Sequence, residues 1–153
     1  MLSPSASLRV GGSVALLGGV LVLVGYVLPV AYVTYMPERV IKPFNNDDLL
    51  LALAALVVVI TSAVAVWRLK WSPRLAALCL SGALVGLFTH LFWTSFTFFS
   101  GWGMNFYQSH PTHLAAGFWS QLAGCILMTG GALFLVFFTV VSSSRAMGGR
   151  GDL

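Results

Sequence analysis

Four uninterrupted apolar stretches, at about residues 10–36, 48–67, 75–99 and 113–141, constrain this chain more than any other feature. Each has the roughly 20 residues that a helix needs to cross the hydrocarbon of a bilayer. No water is available there for backbone N–H and C=O groups, so a span of this kind must be helical to satisfy them itself. Composition agrees: 58% of residues are hydrophobic and 8% charged, against about 25% charged in an ordinary soluble domain. Mean hydropathy is +0.91. The expected protein is all-α, an integral membrane four-helix bundle whose one domain covers residues 1–153, with the lipid bilayer as its first partner.

Arg9 ahead of the first stretch imitates a secretory signal, but the run exceeds the 7–15 apolar residues, roughly, of a signal core and is read as a retained span. Charge sets the expected orientation. Arg9, Arg68, Lys70, Arg74, Arg145 and Arg150 fall on one side, while Arg39 and Lys42 fall on the other beside Glu38, Asp47 and Asp48. The positive-inside rule then puts both termini and the loop around Lys70 in the cytoplasm. The net charge of +4 therefore reports topology, and nucleic acid is excluded as a partner because the basic residues form no patch.

Short connections favour an up-down-up-down order of antiparallel neighbours. Asn46, Asp47 or Asp48 suits the start of the second helix, Pro73 opens the third, Pro111 with Thr112 opens the fourth, and Pro29 kinks the first. Residues 142–153 are polar and glycine-rich and are expected to form a flexible cytoplasmic tail. The Arg150-Gly151-Asp152 tripeptide within it is an adhesion signal only outside a cell. The order of the spans, with "LPVAY" at residues 28–32 and "AAGFW" at 115–119, resembles small bacterial four-span proteins. A bacterial inner membrane is the expected location, and no functional residue is drawn from that resemblance.

Small residues let helix backbones approach where lipid removes the hydrophobic drive to associate. Gly11, Gly18 and Gly25 recur every seven residues in the first span, as do Gly117, Gly124 and Gly131 in the fourth, and Gly82 with Gly86 forms a GxxxG pair in the third. Seven residues are close to two helical turns, so each set occupies one face. Those faces serve either packing inside one bundle or self-association and docking of other membrane subunits.

His90 is the one histidine inside a span. It shares a face with Gly82, Gly86, Thr94 and Thr97, while Phe88, Phe92, Phe96 and Phe99 follow another, which predicts an imidazole turned inward and phenylalanines turned to lipid or a partner. Counting from expected outer ends, His90 and Tyr26 lie roughly 15 Å deep and Gln121 roughly 12 Å. An unpaired polar group in hydrocarbon is costly, so Tyr26, His90 and Gln121 are expected to form a hydrogen-bonded cluster between helices. His90 is also the candidate axial ligand to a haem or chlorophyll-type pigment; bis-histidine haem would need a second intramembrane histidine, whereas a five-coordinate pigment needs one. The cofactor question stays open. His110 and His113 alone are too few for a zinc site, and no metal centre is expected. Cys79 and Cys125 read as buried thiols.

No nucleophile and base pair is evident, so an enzyme would be confined to His90, His110, His113 and the outer acids. A transporter or channel lacks the intramembrane carboxylate or arginine that marks an ion path. The expected role is an accessory or scaffolding subunit of a larger membrane complex, respiratory or photosynthetic.

Overall fold

A computed structural model describes residues 4–33, 39–41, 46–68, 72–94 and 112–148. Among these residues the helices are α1 (Pro4–Val27), α2 (Asn46–Arg68), α3 (Pro73–Phe88) and α4 (Ala116–Gly148), and α3 runs directly into a π-helical segment, Thr89–Thr94. All four are long and apolar enough to cross a membrane. The protein is an all-α, membrane-type four-helix bundle. α1 packs against α4 and α2, and α3 closes the ring against α2 and α4. Each helix buries one face, and the larger remainder carries exposed leucine, valine, isoleucine and phenylalanine. That is the surface a lipid solvent tolerates.

Among the described residues three short strands lie outside the helices: β1 (Ala31–Val33), β2 (Arg39–Ile41) and β3 (Thr112–Leu114). They form one antiparallel sheet in the order β2-β1-β3, with Tyr32 opposite Val40 on one side and His113 on the other. The sheet ties together the ends of α1 and α4. Ala115 N–H donates to Val30 O at 2.8 Å and Gly117 N–H to Pro29 O at 2.9 Å. The second bond satisfies one of the free amides in the first turn of α4.

Several element boundaries depart from the sequence reading. The first span ends at Val27, so Pro29 terminates α1 instead of kinking it: proline offers no N–H, and its ring disfavours helix at the residue before it. Thr112 belongs to β3 and α4 starts at Ala116, because pairing with β1 captures the chain first. At the other end α4 continues to Gly148, so residues 142–148 are helical where a flexible tail was expected. Adding residues to an established helix is cheap compared with starting one. Asn46, Asp47 and Asp48, the expected caps, are the first three residues of α2 itself.

Ser72 caps α3, its hydroxyl accepting from Leu75 N–H at 3.2 Å, with Pro73 in the first turn. Replacing Ser72 with Ala is expected to cost about 1 kcal/mol, read as an earlier unfolding midpoint in detergent.

The core consists of Ala15, Val22, Leu51, Ala55, Val58, Cys79, Ala83, Cys125, Met128, Ala132 and Leu135. α3 contributes only the small core side chains Cys79 and Ala83, and the largest fully buried side chains are Leu51 of α2 and Met128 and Leu135 of α4.

Candidate functional site

The glycine stripes meet each other. A methyl group built on Gly124 would lie 2.6 Å from Gly18 O, and one on Gly131 2.8 Å from Gly11 O. Gly11, Gly18 and Gly25 thus form one strip of α1 that lies backbone to backbone on α4. A second strip, Gly12 and Gly19, faces Val66 and Val59 of α2. Gly82 faces Ala54 and Val58 of α2, and Gly86 faces Met128 of α4. Gly117 abuts Leu28 O and Pro29 O, where the chain leaves α1. Gly130, one residue from the stripe, is exposed with no neighbouring atom within 4 Å.

Along the α3 and α4 contact runs a polar seam. Thr129 Oγ1 donates to Ala83 O at 3.5 Å, and one turn outward Cys125 Sγ donates to Gly86 O at 3.7 Å. The next step brings Gln121 to His90. From α4 these are residues 121, 125 and 129, each one turn from the next and so on one face. That spacing was available in the sequence as the sign of a shared polar face.

The third step differs from the other two. His90 is 0% and Gln121 1% exposed. The Gln121 amide is close enough to act on the imidazole, but no pair of atoms meets hydrogen-bond geometry, and His90 Nδ1 and Nε2 and Gln121 Oε1 and Nε2 are all buried without a partner among the described residues. The imidazole instead packs on the Phe118 ring, centroids 5.1 Å apart and tilted by 44°. His90 also sits at the start of the π-helical segment. Short π insertions inside helices concentrate at functional sites.

A methyl group on Gly25 would meet Gln121 Cγ at 2.8 Å. The bare backbone of α1 therefore makes room for the Gln121 stem while its amide turns toward α3. Tyr26 follows Gly25, one residue from the end of α1, so it lies at that helix end instead of roughly 15 Å along it. It is half-buried, and no hydrogen bond joins it to His90 or Gln121. Seven residues after Gly19, it continues the strip of α1 that faces α2. Gln121 is likewise nearer its helix end than expected, because α4 begins at Ala116.

Phe88 and Phe92 face outward, 66% and 52% exposed, and stack at 5.2 Å and 7°. With Leu84, Leu87 and Leu91 they line an open apolar groove on the outer face of α3. Phe96, Thr97, Phe99 and His110 lie outside the described residues, and no group of three or more metal-binding side chains occurs among the described ones. Phe118 and Thr129 are neighbours of the site that the sequence reading did not single out, and Cys125, expected only as a buried thiol, is a third.

Compared with known proteins, the chain matches no family model, no curated protein and no solved structure.

Proposed function

We propose that the protein is an accessory or scaffolding subunit of a larger membrane complex, respiratory or photosynthetic in setting, held in a bacterial inner membrane with both termini in the cytoplasm. The observation that carries this reading is the groove of Leu84, Leu87, Phe88, Leu91 and Phe92 on the outer face of α3. The glycine strips of α1 and α4 are occupied by one another, so their close backbone contact serves this bundle. What remains for another subunit is large side chains, which associate in lipid through van der Waals fit. A concave aromatic face offers such fit.

Purification from the native membrane in mild detergent, with the bound chains identified by mass spectrometry, tests the proposal. A defined membrane partner is expected with the native chain and is lost in Phe88→Ala/Phe92→Ala, while the bundle stays helical. A monodisperse chain without partners overturns it. Orientation is tested separately: alkaline phosphatase fused after Val141 is expected to be inactive, and active when inserted between β1 and β2, because the enzyme folds only outside the cytoplasm.

The orphaned nitrogens of His90 favour a second reading, in which the imidazole ligates haem or a chlorophyll-type pigment. Against it, the ring is fully covered, and a macrocycle beside it would require α3 and α4 to part. A visible absorption band lost in His90→Ala would establish that reading. Transport is disfavoured because no charged side chain is buried among the described residues.

A further inference from the structure

We propose that His90 and Gln121 form a built site for one small guest that both donates and accepts hydrogen bonds, a single water molecule held between α3 and α4. The site is independent of any partner on the outer face.

The inventory of donors and acceptors leads there. A neutral imidazole offers one N–H and one lone pair on opposite sides of the ring; a glutamine amide offers two N–H donors at one end and an accepting oxygen at the other. Four buried polar atoms are without partners, and each such group costs about 1–3 kcal/mol. A direct bond between the residues would use one atom of each. Because the two atoms of each group point apart, one imidazole nitrogen and one end of the amide would remain. These leftovers are complementary: if the imidazole N–H donates to Oε1, the other nitrogen needs a donor and the amide N–H needs an acceptor. They lie on opposite sides of the direct bond, too far apart for one water; in this structure no direct bond forms, and one water between the side chains can instead accept from the donor of one and donate to the acceptor of the other.

The surroundings set the size of the guest. His90 and Gln121 are sealed from the outside, Phe118 covers the ring, and Gly25 abuts the Gln121 stem. An organic ligand has no entry, whereas a water needs a polar niche with two to four partners, roughly. The seam explains why the niche is here. Thr129 and Cys125 spend their hydrogens on the carbonyls of Ala83 and Gly86, but at the next step α3 changes to π geometry and Gln121 meets a side chain in place of a carbonyl.

The test is solid-state nuclear magnetic resonance on the full chain in lipid nanodiscs, with ¹⁵N-labelled histidine and the His90 signals assigned by their loss in His90→Asn. Expected is an imidazole nitrogen hydrogen-bonded to water, with proton magnetisation reaching it from a long-lived water. In Gln121→Met, which keeps the stem against Gly25, that transfer is expected to disappear while the helical circular dichroism is unchanged. If Gln121→Met does not fold, the native chain decides alone, by whether water magnetisation reaches the His90 ring. A single direct bond without water transfer, a metal-bound nitrogen shift, or transfer that persists in a folded Gln121→Met overturns the proposal.

Discussion

Gly18→Ala is expected to destabilise the bundle more than any other single methyl addition in the α1 and α4 strips. The new carbon would collide with Met128 N and lie 2.7 Å from Gly124 O and 2.9 Å from Leu127 C. All three are backbone atoms of α4, so no side-chain rotation relieves the clash and the helices must separate. Overpacking a tight core costs about 1–3 kcal/mol, occasionally more, and the better helix propensity of alanine returns only about 1 kcal/mol. Two neighbours calibrate the result. At Gly12 the nearest atom is Val66 Cγ2 at 2.7 Å, the end of a side chain, and the closest backbone atom is 3.6 Å away, so Gly12→Ala is expected to cost less. Gly130 has open space around it, and Gly130→Ala is expected to be neutral or stabilising by up to about 1 kcal/mol. Unfolding in mixed detergent followed by circular dichroism ranks the three. Equal midpoints for Gly18→Ala and Gly130→Ala would show that the strips do not hold the bundle.

Much of the fold is visible in the chain because lipid leaves it few options. Four apolar runs of spanning length become four helices, since each must satisfy its own backbone. The departures occur where that constraint ends. Pro29 stands at the edge of an apolar run that hydropathy alone extends to about residue 36, and only the pairing of β1 with β2 and β3 shows why the chain turns there. The tail's composition hid the continuation of α4 to Gly148, because glycine and serine content says little about a helix already under way. At the site, helical spacing identifies which residues share a face. Which face meets which is a property of the assembled bundle: that Gly18 lies on Gly124, that Gln121 reaches His90 past Gly25, and that Tyr26 continues the strip facing α2. The π-helical segment carries no signature in "THLFWT" that a period of 3.6 would reveal.

The second large effect concerns His90 and Gln121 taken together. His90→Leu removes two polar atoms and strands the Gln121 amide; Gln121→Leu strands the imidazole. Each stranded partner is expected to cost about 1–3 kcal/mol. The double variant removes all four buried polar atoms and leaves apolar side chains in an apolar seam, so it is expected to be at least as stable as either single variant. In membrane bundles, interhelical polar couplings average about 0.6 kcal/mol and reach about 1.7, and a fully enclosed pair belongs at the upper end of that range. Additive single costs would mean that the residues do not share partners, directly or through water. A stable double variant also separates folding from function. If it retains the helical bundle but loses the complex or a native colour, the polar pair is kept for what it binds or transmits. If it retains both, the pair serves to fix the register of α3 on α4, where two backbone carbonyls and one imidazole meet successive turns of the same polar stripe.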